Sequence, residues 1–206
     1  MTKTLIYFLF ATVVIAFTTG GCENDDYYPK PRGYFRIATP EKSYVKLDSN
    51  LNYSFEYPGY ARITNDYITE GKHNWINIFY PDFKGTLHLS YKPVQDNLPK
   101  LIRDAHEFVD KHIPKANAIE RRTFINDSAS VYGLVYEIKG TGAATPFQFY
   151  LTDSSRHFVR GALYFNTKPN NDSLAPVIDF IEGDINQMIE TFHWNDKKNN
   201  KNLNLN

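Results

Sequence analysis

The most reactive side chain in this sequence is Cys22, the single cysteine among 206 residues. It has no internal disulfide partner, and an exported chain stabilised by disulfides would carry an even set. The residues before it account for its place. Lys3 gives a positive start, residues 5–17 are almost continuously apolar, and Thr18, Thr19, Gly20 and Gly21 lead into the cysteine. A charged head, an apolar middle and a small-residue exit are the parts of an export signal. The run falls short of the roughly 20 apolar residues that a bilayer span needs, and Glu23, Asn24, Asp25 and Asp26 follow at once. That pattern predicts a cleaved leader over residues 1–21.

Gly20-Gly21-Cys22 resembles a bacterial lipobox, in which the thiol is alkylated with diacylglycerol and the cysteine becomes the mature N-terminus. Thr19 stands where the pattern usually has an aliphatic residue, so a secreted chain without lipid is the alternative. Residues 22–33 then read as a lipidated tether. Within it Pro29, Lys30, Pro31 and Arg32 hold the backbone extended and basic, and Tyr34 and Arg36 continue that segment. These six residues are the candidate partner contact; a stiff lead-in to an edge strand would have the same sequence.

Few other residues suggest chemistry. Of the six histidines, His106 and His112 lie six apart in a helical stretch, about 240° round the axis from each other, and cannot share a metal. His106 and Asp110 could share a face, but two ligands make no site. The sequence has no nucleophile elbow, P-loop, zinc-protease helix or dinucleotide fingerprint, so neither a catalytic set nor a cofactor is expected. Trp75, Tyr80, Tyr91, Tyr150 and Tyr164 could form a sugar-stacking platform if exposed, or pack a sheet if buried. Asp127-Ser128-Ala129 and Asp172-Ser173-Leu174 resemble an Asp-Ser/Thr-apolar O-glycosylation acceptor of Bacteroidetes, which makes Ser128 and Ser173 candidate glycan sites; Ser173 has a rival role as a helix cap.

The elements that must position these groups are legible from periodicity. Lys and Arg number 23, as do Asp and Glu. Removing residues 1–21 takes away one basic residue, so the mature chain is close to neutral. A neutral chain lacks the field that attracts nucleic acid. Fifteen Tyr and fifteen Phe suit half-buried pleated surfaces. Short strands are expected at 44–47, 53–57 and 61–64, and hairpins at 75–80 with 86–91, 118–124 with 131–138, and 147–152 with 157–165. Apolar residues at helical spacing predict amphipathic helices over 97–113, ended by Pro114, and over 174–192, with Pro176 in the first turn. The Asn/Lys-rich stretch 195–206 reads as disordered. Consecutive hairpins with two helices give one α+β domain over 34–194, a largely antiparallel sheet covered by helices.

This order is similar to the PsbP/Mog1-type α-β-α sandwich, through Tyr53-Ser-Phe-Glu-Tyr-Pro-Gly59, the middle helix and the closing helix running into Glu190-Thr191-Phe192. The signal with Cys22, residues 29–37, 75–80, Leu87-His88-Leu89-Ser90-Tyr91-Lys92, 148–152, 157–165 and 171–178 together resemble the gliding-motility lipoprotein GldD family of Bacteroidetes. The resemblance implies a cell-envelope lipoprotein needed for gliding and the linked type IX secretion machinery. It would be held by an N-terminal lipid at the periplasmic face or outer membrane and would act on other envelope proteins. No catalytic motif defines the family, so a non-enzymatic accessory role is expected. A carbohydrate- or peptidoglycan-binding module and an envelope enzyme are the alternatives.

Overall fold

The computed structural model describes residues 37–65 and 74–195. Seven strands form one antiparallel sheet: β4 (Arg62–Asn65), β5 (Ile76–Tyr80), β6 (Gly85–Pro93), β7 (Ala118–Asn126), β8 (Val131–Lys139), β9 (Phe147–Thr152) and β10 (His157–Phe165). They lie in the order β4-β5-β6-β10-β9-β8-β7, which puts β10 at the centre. Three hairpins, β5–β6, β7–β8 and β9–β10, build it. In two of them a 3-10 turn ends on a left-handed residue, Lys84 or Ser130, that reverses the chain. Four further strands are short: β1 (Tyr44–Lys46) pairs with β3 (Glu56–Pro58), and β2 (Tyr53–Ser54) pairs with β11 (His193–Trp194).

Alternation along the strands divides the sheet into two faces. On one face Ile78, Leu87, Leu89, Val135, Leu151, Val159 and Leu163 are buried against helix α2 (Asn171–Glu190), which contributes Val177, Ile181, Ile185, Met188 and Ile189. On the other, Tyr136, Ile138, Tyr150 and Phe158 meet helix α1 (Leu98–Asp110) through Leu101, Ala105 and Val109. The molecule is thus an α-β-α sandwich with helices on opposite faces. Gly161 in β10 is needed for this packing: the ring of Phe149 occupies the place of a Cβ, 2.1 Å from where that atom would stand.

Both helices differ from expectation at their ends. α1 stops at Asp110, and Pro114 lies in a separate 3-10 turn, Ile113–Lys115; Pro114 cannot donate to a helix, and it disfavours helical backbone at Ile113. The Asn97 side chain accepts from Gln95 N at 2.9 Å rather than capping α1. α2 begins at Asn171, with Asn170 as its cap residue, so Asp172 and Ser173 lie inside the first turn and Pro176 lies beyond it. The early start has a local cause: the buried Asn171 amide donates to Gly140 O at 2.9 Å and Ala143 O at 3.1 Å, fastening the helix to the β8–β9 loop. Residues 53–57 do not form one alternating strand. Tyr53, Ser54 and Phe55 are all buried, and the segment splits between two partners, β11 and β1.

Candidate functional site

The sheet is wider than α1, and the uncovered strip defines the candidate site. α1 lies over the β8–β9–β10 half of its face and leaves β5 and β6 open, where Asn77, His88, Ser90 and Lys92 project on the same side as Arg160 of β10. Between helix and strip lies a cleft of about 340 Å³, lined on the helix side by Leu101, Asp104, Ala105 and Phe108 and on the sheet side by Trp75, Leu89, Phe158 and those polar residues.

Arg160 dominates its electrostatics. One guanidinium nitrogen donates to Gln148 Oε1, and the guanidinium carbon sits 4.4 Å above the Phe108 ring, a cation–π arrangement. Lys111 stands 4.9 Å from the same ring. Burial lowers the pKa of Arg160, opposed by the neighbouring Tyr164 hydroxyl. Burial, then the cations of Arg160 and Lys115, likewise hold the His112 imidazole below its usual range. The carboxylate that lines the cleft, Asp104, is engaged by Lys100 at 2.9 Å. His88 Nδ1 meets Asn77 Oδ1 at 2.7 Å and its ring packs edge-on to Tyr164. The arrangement supplies a cation, hydrogen-bonding groups and apolar walls; it is equipped to hold an amphiphilic anion.

A second polar cluster is structural. Asp184 on α2 is fully buried and accepts from Tyr60 Oη at 2.6 Å and Tyr44 Oη at 3.0 Å, with Lys42 Nζ at 3.1 Å. Burial, then the Asp184 bond, pushes the Tyr44 hydroxyl up to about 12, and the same causes raise Tyr60. This carboxylate latches β1 and the turn after β3 to α2. A third cluster pairs Glu182 of α2 with Glu137 of β8. Burial, then Glu137 and Asp179, raises the Glu182 carboxyl to about 7, while Arg122 opposes the rise.

The residues singled out by sequence do not converge. Cys22, Pro29, Lys30, Pro31, Arg32, Tyr34 and Arg36 lie outside the described residues, as do His73 and residues 196–206. Ser128 is exposed on the β7–β8 turn and donates to Asn126 Oδ1 at 2.7 Å. Ser173 is exposed on the first turn of α2. His106 meets the Tyr136 hydroxyl at 2.9 Å, His157 meets that of Tyr91 at 2.8 Å, and His193 meets Thr191 O at 3.1 Å. Of the possible stacking platform, Tyr80, Tyr91 and Tyr150 are buried, Trp75 is half-buried and donates to Tyr91 O at 2.7 Å, and Tyr164 alone is exposed. Tyr80, Tyr91 and Tyr150 pack the sheet. Among the described residues no group of three or more His, Cys, Asp or Glu is placed to hold a metal, and no helix is long and apolar enough to cross a membrane.

Sequence reasoning passed over Arg160, Gln148 and Asp184, and each carried a signal. Arg160 is in phase with Phe158 and Ala162 on a central strand, Gln148 is in phase with Tyr150, and Asp184 stands on the Val177–Ile181–Met188 stripe. A polar residue in a core phase is more informative than an exposed one.

Comparison with known proteins sets this geometry in a family. The solution structure of cyanobacterial PsbP from Synechocystis sp. PCC 6803 superposes with a TM-score of 0.47 at 12% identity, covering 77% of this chain and 96% of that one. No curated protein matches the chain. The family model described as gliding motility lipoprotein GldD matches residues 24–194, which takes in both helices and all of the strands. The chain therefore belongs to the GldD family of gliding motility lipoproteins.

Proposed function

We propose that this protein is a lipid-tethered accessory protein of the cell envelope that supports gliding motility and the linked type IX secretion machinery by binding other envelope proteins, without catalysing a reaction. Cys22 carries the lipid after removal of residues 1–21, residues 22–33 are the tether, and residues 34–194 are the working domain. The family supports the envelope setting. The observation that carries the binding role is the cleft beneath α1, where a half-buried guanidinium and an aromatic ring line an opening in the sheet face. The basic, proline-containing segment with Pro29, Lys30, Pro31, Arg32, Tyr34 and Arg36 is our proposed second contact.

The experiment is photo-crosslinking in living cells from Thr86, which lies two residues along β6 from the cleft-lining His88 on the same face of the sheet, compared with Asn186 on the α2 side. Adducts with envelope proteins from Thr86 and not from Asn186 are expected. Adducts from Asn186 alone would place the working face elsewhere. Arg32→Glu is expected to reduce recovery of the same partners without changing the fold, and unchanged recovery would remove that segment from the contact.

A further inference from the structure

The cleft beneath α1 holds a charge that the other described residues leave without a carboxylate partner. Among the described residues no carboxylate forms an ion pair with Arg160; it is held by Gln148 Oε1, the face of Phe108 and the Tyr164 hydroxyl. A half-buried cation loses hydration, and without a counter-ion that loss is not repaid. Gln148 adds to the imbalance. It is 1% exposed, and its amide nitrogen meets no acceptor among the described residues, whereas buried polar groups are nearly always bonded. A polar arrangement kept incomplete on an interior strand is a mark of a binding site rather than of a stability device.

The lining specifies what would complete it. Lys92 and Arg160 bring two positive charges to the lining, and its one carboxylate, Asp104, is already paired with Lys100. That excess of positive charge suits an anion. A guanidinium offers a planar fork that matches a carboxylate. The remaining walls, from Trp75, Leu101, Phe108 and Phe158, are apolar, and the volume of about 340 Å³ exceeds what a carboxylate group alone would fill.

We propose that this cleft binds a carboxylate borne on an apolar body, the carboxylate seated on Arg160 and the body against Phe108, Phe158 and Trp75. The proposal rests on the binding role given above and names its ligand chemistry. The last residue of a protein chain, when apolar, presents these two parts together; so does a free aromatic or aliphatic acid.

Titration calorimetry on the mature full chain in detergent tests this with three probes: a tetrapeptide ending in phenylalanine with a free carboxylate, the same peptide amidated, and phenylacetate. The free-acid peptide should bind, and amidation should weaken it by at least about tenfold, since a charged pair in a desolvated cleft is lost. Arg160→Gln should weaken the free acid by a similar factor and leave the amide unaffected. Binding of the peptide alone identifies a chain terminus as the ligand; binding of phenylacetate as well identifies a free acid. Equal binding of acid and amide to the unaltered protein overturns the proposal, as does absence of binding by both acids. Crosslinks from Thr86 that persist alongside either of those results would retain the binding role and remove only this ligand.

Discussion

At the scale of single residues, the molecule separates groups that hold it together from groups left for a ligand. Asp184 is of the first kind. Its three donors come from segments more than a hundred residues away in the chain, so the carboxylate joins the start of the domain to its closing helix. Asp184→Ala should destabilise the protein by about 3 kcal/mol, because the tyrosine hydroxyls lose a buried acceptor; the Lys42 part of that is small, since its side chain is 37% exposed. Urea unfolding measures this, and a loss below about 1 kcal/mol would show the latch to be incidental. Gly161→Ala should cost about 1–3 kcal/mol through overpacking against Phe149, whose buried ring has nowhere to move. Glu182 behaves oppositely to a paired carboxylate. Its folded pKa, about 7, is raised above the unfolded value, so the folded state binds the extra proton. Stability should therefore be greatest below the unfolded pKa near 4.5 and fall as pH rises to about 7, with little further change above. Glu182→Gln should flatten that slope and raise stability at neutral pH. A profile unchanged by the substitution would assign the dependence to another group.

At the scale of elements, the cleft is a consequence of mismatch. α1 buries Leu101, Ala105 and Val109 and stops at Asp110, and Phe108 at the edge of the stripe is left 42% exposed over Arg160. The helix stripe was legible in the sequence because it repeats every three to four residues. The alternation of β6, with Leu87, Leu89 and Tyr91 inward and His88 and Ser90 outward, was legible for the same kind of reason. The hairpins followed from turn residues at 81–85, 126–128 and 153–155. What periodicity does not carry is the partner of each face. Ser54 alternates with Tyr53 and Phe55 as a wet-side residue would, yet it is buried, because β2 pairs with β11 in a separate short ribbon. The start of α2 depends on Asn171 reaching the β8–β9 loop, a contact between residues about thirty apart. The Arg160 site is assembled from β5, β6, β10 and α1, so no stretch of sequence contains it. Its two signals, a charge and an amide in core phase on β10 and β9, acquire meaning only once those strands are known to be central.

At the scale of the whole molecule, the proposed function needs both a lipid tether and a working face. If Cys22 carries lipid, metabolic labelling with a fatty-acid probe should mark the protein and Cys22→Ser should abolish the label; a labelled Cys22→Ser form, or an unlabelled native one, would contradict it. The near-neutral charge of the chain leaves recognition to local features, and in the described domain the strongest of these is the uncompensated guanidinium under α1. The most direct measurement is type IX cargo secretion by cells whose chromosomal copy carries Arg160→Gln, with abundance and membrane association of the variant checked alongside. Secretion should fall sharply while the variant remains present at native level in the membrane fraction. Native secretion by that strain would contradict the proposed function.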